Sequence, residues 1–275
     1  MSYGASAYSP IWESMAGYAR PQYIKSYKKF RTADELALSF RNEFSRGLVL
    51  YLPFVRFVPY RADTITRVFD RSPFSNHGTI IGAVWHTLPN GKSVLSCDGV
   101  DDYIVILNST SLNPTDAITV AAWVKPSYFS GTGSDPIVDK AYYYHGGRFY
   151  QYHLFLVGYA YYKNPGRYGF SISIGGTLRE LNSGEDLYDV DKWNFIVGTY
   201  DGEAIKLYRN GVLTNMVEGV FGQIDTYSTN LFIARFRNLV YCLPVVIGEL
   251  RIYNRALSES ENRRLFNLTR VFYGV

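Results

Sequence analysis

The sequence predicts an all-β protein, a sandwich or a barrel, from three observations. Short runs alternate apolar and polar residues with a period of two, as in "AITVAAWVKP", where Ile118, Val120, Ala122 and Val124 alternate with Thr119, Ala121, Trp123 and Lys125. Gly, Asn and Asp turns separate these runs, the spacing of antiparallel sandwiches and barrels. Tyrosine occurs 25 times and phenylalanine 17 times in 275 residues, which suits half-buried strands and broad contact surfaces.

The elements follow in chain order. Residues 1 to 31 mix Ser, Gly, Pro, Tyr and Lys without a sustained period and read as an irregular arm. In "TADELALSFRNEFSRG" Thr32 and Glu35 form a capping box, and Leu36, Leu38, Phe40 and Phe44 give an imperfect apolar stripe. This predicts a short helix at about 33 to 45, stopped by Gly47. From Gly47 onward the pattern is strands: "LVLYLPF", "VLSCDG", "DDYIVI", "AITVAAWVKP", "YHLFLVG", "YGFSISIGG", "LFIAR" and "VVIGELRIY". Helical periodicity returns in "SESENRRLFNL". The expected domains are therefore an arm with a short helix, 1–46, and a β domain, 47–275.

"WNFIVGTYDGEAIKLYRNGVL", residues 193 to 213, holds two turn signals. Asp201-Gly202 and Asn210-Gly211 both offer the positive φ angles of a two-residue type I′ hairpin. Asp201 is read as a turn residue and Glu203 as solvent-facing, so this acidic pair is not a catalytic one.

Composition narrows the function. No apolar run approaches 18 residues, so no membrane span is expected. The net charge of +4 is mild and the basic residues are scattered apart from "KSYKKFR", so a nucleic-acid partner is not expected. The start "MSYGASAYSPIWESMAG" lacks the basic and apolar regions of a secretory signal. Cys97 and Cys242, the two cysteines, are far apart in sequence and lack metal-type spacing; they are read as buried free thiols, with a Cys97–Cys242 pair as the alternative.

Seven ordered segments carry a resemblance: "GLVLYLPF", "FDRSPFSNHGTIIGAVW", "LSCDGVDDYIVI", "ITVAAWVKP", "DKWNFIVGTYDG", "IKLYRNGVL" and "IGELRIYNRALSESE". Over about residues 47 to 268 the chain resembles laminin-G-like domains of the concanavalin A-like lectin/glucanase superfamily. The resemblance implies a two-sheet antiparallel jelly-roll sandwich that binds glycans or proteins outside the cell. It also implies one structural Ca2+, an ion that takes six to eight oxygens, with Asp70, Asn76, Asp98 and Glu249 as the carried-over ligands. Gly248 stands where the family commonly has an aspartate, which removes one carboxylate. On their own residue types, Asp70 and Asn76 also suit Asx turns.

Three function classes compete. The favoured one is a non-catalytic structural or adhesion subunit of a virion or cell-surface assembly, self-associating through its arm and binding surface glycans. The alternatives are a monomeric calcium-dependent carbohydrate-binding module and a glycoside hydrolase of the same superfamily. Hydrolysis needs two carboxyls at a set separation, and the superfamily's Glu-x-Asp-x-x-Glu strand does not occur here. For contact with glycan or a second subunit, the candidates are Tyr142, Tyr143, Tyr144, Arg148, Tyr161, Tyr162 and Lys163, a dense group of rings and cations around "LFLVG".

Overall fold

The computed structural model describes residues 44–54, 66–127, 134–142, 149–157, 166–236 and 242–275. The chain divides into two compact units, residues 1–46 and 47–275. The expected arm and the helix at 33–45 lie outside the described residues, apart from a turn at residues 44–46.

The second unit is a mostly antiparallel β structure. In chain order its strands are β1 (Leu48–Leu52), β2 (Arg67–Val68), β3 (Gly78–Ile81), β4 (Val84–Thr87), β5 (Ser93–Cys97), β6 (Tyr103–Ile106), β7 (Ile118–Pro126) and β8 (Ser134–Tyr142). They continue as β9 (Phe149–Val157), β10 (Tyr168–Ile174), β11 (Thr177–Asn182), β12 (Asn194–Tyr200), β13 (Ala204–Arg209), β14 (Val212–Glu218), β15 (Leu231–Ile233) and β16 (Val245–Tyr253). One sheet has the order β14-β13-β12-β7-β16-β5-β4, with β1 also on β16; the other has the order β11-β10-β9-β8-β15-β6-β3-β2.

Alternation places the core between the two sheets. Ile118, Val120, Ala122 and Val124 of β7 point inward and meet Tyr152, Leu154 and Leu156 of β9 and Phe170 and Ile172 of β10 in one cluster. Gly198 of β12 makes room for a ring from the facing sheet, because a Cβ there would lie 2.3 Å from Phe170 Cγ. A glycine is therefore required for the Phe170 ring to seat. Inside the same core is a charge. Lys140, fully buried, gives its ammonium to Asn108 Oδ1 at 2.8 Å, Thr229 O at 2.6 Å and Tyr227 O at 3.1 Å. Burial of an ammonium is tolerated only with such oxygen partners.

The outward residues of β7 and its neighbours are covered by the C-terminal helix α1 (Glu259–Thr269), where the sequence predicts one. Ser258 and Glu261 close a capping box at its start. Trp123 stacks on Phe266 of α1 and donates Nε1–H to Thr269 Oγ1 at 2.8 Å. Tyr273 follows the helix and stacks on Trp123 with centroids 4.3 Å apart.

The two hairpin signals have different outcomes. Asn210 and Gly211 both have positive φ, 51° and 77°, between the paired residues Arg209 and Val212. That is the two-residue turn the sequence predicts. Asp201-Gly202 does not form one: Tyr200 pairs with Ile205, so the connection is longer, and only Gly202 has positive φ. The reason is the Asp201 side chain, whose Oδ1 accepts the amides of Glu203 at 3.1 Å and Ala204 at 2.8 Å and stabilises an Asx-type turn. Glu203 is exposed, and Asp201 Oδ2 pairs with Lys206 at 2.7 Å.

Candidate functional site

The outer face of the second sheet carries an unusual row of residues. Register places Phe232 of β15, Asp139 of β8, His153 of β9, Ser171 of β10 and Glu180 of β11 side by side in one row. Because neighbouring side chains alternate, this row points away from the core residues Val138, Leu154 and Ile172. Asp139, His153 and Ser171 are buried, whereas Glu180 at the sheet edge is exposed. Ser171 Oγ donates to Glu180 Oε2 at 3.0 Å and so fixes that carboxylate. The His153 ring is stacked between Tyr150, at 4.4 Å, and Phe155, at 4.7 Å.

The next row is Phe155, Gly169 and Asn182. Gly169 contributes no side chain, and a Cβ there would lie 2.2 Å from Phe155 Cζ, so the phenylalanine ring lies across β10. Beside this ring is a shallow hollow lined by Phe155, Val157, Arg167, Glu180 and Asn182. Its floor is apolar and its rim carries a guanidinium, a carboxylate and an amide. Arg167 Nη2 lies 3.4 Å from Glu185, which is fully exposed.

Of the sequence-predicted contact residues, Tyr143, Tyr144, Arg148, Tyr161, Tyr162 and Lys163 lie outside the described residues, as does the side chain of Tyr142 at the end of β8. By sequence they belong to the connections β8–β9 and β9–β10, which begin and end at the strands bearing the row. The hollow itself was missed, because its members come from three strands and "TLRELN" has no clean alternation. The signal available was "YGFSISI", whose Ser171 and Ser173 are small polar residues on an outward face that is nevertheless buried.

The carried-over calcium ligands fall in separate places. Asp70 and Asn76 meet: Asp70 Oδ2 accepts the Asn76 amide at 2.7 Å and the Ser72 hydroxyl at 2.6 Å, and Oδ1 accepts the amides of Tyr51 and Ser72, both at 2.8 Å. Asn76 Nδ2 donates to Val49 O at 2.8 Å, and its Oδ1 accepts from Ser109. Four donors on one carboxylate complete an Asx-type knot that ties β1 to the segment before β3. Glu249, buried, holds Arg251 at 2.6 Å, and Arg251 in turn lies over the Tyr51 ring. Among the described residues, the acidic side chains that gather are Asp98, Asp101 and Asp102. Among the described residues Asp70, Asp98 and Glu249 do not gather into one carboxylate group, and Asp70, Asn76 and Glu249 are engaged with protein partners. Gly248 has its own reason to be glycine, since a Cβ there would lie 2.2 Å from Tyr273 Cε1.

The acidic stretch before β12 is also structural. Asp186 takes Arg209 through Nε at 2.8 Å and Nη2 at 2.9 Å, and accepts the Tyr168 hydroxyl at 2.5 Å. Burial pushes the Asp186 carboxyl up, but the Arg209 and Tyr168 hydrogen bonds and the Arg209 charge outweigh it and hold the group below its ordinary value. Cys97 and Cys242 are free and buried, and burial pushes both thiols up.

A family model described as the concanavalin A-like lectin/glucanases superfamily matches residues 98–261, more than half of the chain. The chain belongs to this superfamily. No curated protein matches it. Among solved structures it is similar to the binding domain of Paraclostridial Mosquitocidal Protein 1, at TM-score 0.60 and 16% identity over 83% of this chain and 55% of that one. It is also similar to the binding domain of Botulinum Neurotoxin DC in complex with SialylT, at TM-score 0.58 and 14% identity over 82% and 52%. A third is the Botulinum Neurotoxin serotype G binding domain, at TM-score 0.59 and 15% identity over 81% and 51%. The chain thus spans about half the length of these structures, and at such identity the likeness is one of fold. Among the described residues no helix is long and apolar enough to cross a membrane.

Proposed function

We propose that this superfamily member is a non-catalytic, lectin-like domain that holds a glycan at the hollow on the outer face of its second sheet. The observation that carries the reading is the hollow at Gly169, where Arg167, Glu180 and Asn182 rim an apolar floor. Sugars need such a mixture: hydroxyls take planar donors and acceptors, and ring C–H faces take apolar surface. The fold similarity to binding domains, one of them complexed with SialylT, supports the same reading.

A non-catalytic role is supported by spacing. Asp139 and Glu180, the carboxylates of the row, are three strand steps apart, about 14 Å between backbones at about 4.8 Å per step. Two-carboxylate glycoside hydrolysis uses separations of roughly 5 to 9.5 Å. The test is saccharide binding by the full chain, measured by calorimetry across a panel of oligosaccharides. Arg167→Ala and Asn182→Ala should each weaken binding about tenfold or more, which corresponds to 1.4 kcal/mol. Unchanged affinity in both variants would remove the hollow from the reading, and sugar release lost in Glu180→Gln would overturn non-catalysis.

The proposal includes a place for the domain, as a structural or adhesion subunit of a virion or cell-surface assembly linked through residues 1–46. Its support is the irregular composition of residues 1 to 31. Light-scattering mass should show the full chain assembled and a chain starting at Gly47 monomeric. Two monomers would remove the arm's linking role.

A further inference from the structure

We propose that the outer face of the first sheet holds a small tetrahedral oxyanion, a phosphate or sulfate group, among Lys92, Arg251 and Tyr273. This site lies on the other sheet from the hollow and does not depend on the glycan reading. Strand order builds it. β7 takes one side of β16 along its length, while β1 and β5 share the other side. β1 ends at the pair Leu52–Leu250 and β5 reaches the pair Leu95–Ile247, so the two strands meet end to end near Glu249. One step past Leu52, Pro53 comes beside Glu249, and Lys92, the residue before β5, donates its ammonium to the Pro53 carbonyl. Glu249 and Arg251 both face outward, because Leu250 and Ile252 of the same strand are in the core.

Two cations and one carboxylate gather at this junction. Arg251 Nε holds Glu249 Oε1 at 2.6 Å, whereas Lys92 bonds only a neutral carbonyl. Among the described residues one positive charge is therefore left over. Burial holds the Lys92 ammonium below its ordinary value, while Glu249 pulls it up and Arg251 pushes it down again. A cation taken out of water without a counter-ion is costly, and an oxyanion supplies one. The Arg251 guanidinium is fixed, with Cζ 4.1 Å from the centre of the Tyr51 ring. Its Nε is taken, and of its two Nη groups Nη1 lies 3.5 Å from the Tyr253 hydroxyl.

An independent observation points to the same place. The Tyr273 hydroxyl is buried and, among the described residues, has no hydrogen-bond partner. It sits against the backbone beside Glu249, because a Cβ at Gly248 would lie 2.8 Å from its oxygen. A buried hydroxyl of this kind calls for an acceptor. An ammonium, a guanidinium and a hydroxyl, from three elements, suit the separate oxygens of phosphate or sulfate. Lys92, Tyr51 and Arg251 are half-buried, so the group reaches solvent.

The experiment titrates the full chain with inorganic phosphate, by calorimetry and phosphorus NMR, at constant ionic strength set with chloride. Saturable binding below about 10 mM is expected. Lys92→Gln should weaken it by about tenfold or more. Tyr273→Phe removes one oxygen atom and keeps the ring, so urea unfolding should stay unchanged while phosphate affinity falls by about threefold or more. Phosphate affinity unchanged in either variant overturns the inference, and so does the lack of saturable binding by both phosphate and sulfate. Glucose phosphate, the ester at the primary hydroxyl, identifies the source. Binding tighter than that of inorganic phosphate, and lost in Lys92→Gln, assigns the oxyanion to a sugar ester. Weaker or equal binding assigns a free ion, and both results support the site.

Discussion

Gly248→Ala tests how the outer face of the first sheet is sealed. The substitution adds one methyl group, and the backbone at 248 lies outside the left-handed region, so strain in the chain itself is not the issue. The added Cβ would stand 2.2 Å from Tyr273 Cε1, 2.7 Å from Cζ and 2.8 Å from the hydroxyl oxygen. The ring cannot yield by a small tilt, because it is stacked on Trp123 at 4.3 Å and packed against Trp193 at 4.7 Å. It has to leave. Two aromatic contacts at about 0.5 to 1.5 kcal/mol each, with part of the burial of a large ring, give an expected loss of about 2 to 4 kcal/mol. Urea unfolding followed by tryptophan fluorescence reads this directly, since Trp123 and Trp193 are the reporters. The decisive arm is a double-mutant cycle with Tyr273→Ala, which removes the obstacle. In that background Gly248→Ala should cost less than about 0.5 kcal/mol. A cost of under 0.5 kcal/mol in the unaltered protein, or an equal cost in both backgrounds, would refute the reasoning.

Three further outcomes are expected. Asp186 has a lowered carboxyl pKa, so its contribution to stability is present above the ordinary carboxylate value of about 4 and is lost as pH falls through the lower folded value. Acid unfolding curves should therefore show a smaller loss between about pH 4 and pH 2 in Arg209→Gln, which removes the cause of the lowering. Lys140→Met leaves Asn108 Oδ1 and the carbonyls of Tyr227 and Thr229 without the ammonium inside the core, and should cost about 2 to 4 kcal/mol in urea unfolding. Chelation should leave the melting temperature unchanged within about 1 °C, because Asp70, Asn76 and Glu249 are satisfied by protein donors; a calcium-dependent rise of several degrees would restore the metal reading.

Much of the fold was legible because both of its main strand types keep one apolar face. β7 and β10 alternate cleanly, and their inward residues are the ones in the core. The Asn210-Gly211 turn was legible because positive φ is nearly a property of that dipeptide. Asp201-Gly202 was not, since an Asp side chain competes for the turn amides and no dipeptide rule contains that contest. β8 was hidden for a different reason. "SDPIVDKAY" carries Asp139 on an outward face that is polar and Lys140 on an inward face that should be apolar, so neither face announces itself. The hollow was out of reach for sequence reading, because its existence depends on Gly169 standing between Phe155 and Asn182 across three strands.

The two outer faces divide the work. That of the first sheet is closed with rings, Trp123, Phe195, Phe266 and Tyr273, and the one polar atom of Trp123 is spent on Thr269. Beside the rings on that face, Glu249 and Arg251 are paired with each other. On the second sheet the outward positions of the central strands are Asp139, His153 and Ser171, side chains that alternation would allow to be apolar at no cost to the core. Burying them is expensive unless each is partnered, and a sheet built for stability alone would replace them. The row ends at the sheet edge in an exposed carboxylate, Glu180, held by the buried hydroxyl of Ser171. The glycan reading predicts where the cost is recovered. Ser171→Ala should stabilise the protein or leave its unfolding free energy unchanged within about 0.5 kcal/mol, because it removes a buried hydroxyl whose one acceptor is solvent-exposed. The same variant should weaken saccharide binding at the hollow, because it releases Glu180 from its fixed position. A variant that loses stability and keeps its saccharide affinity would return the row to the fold.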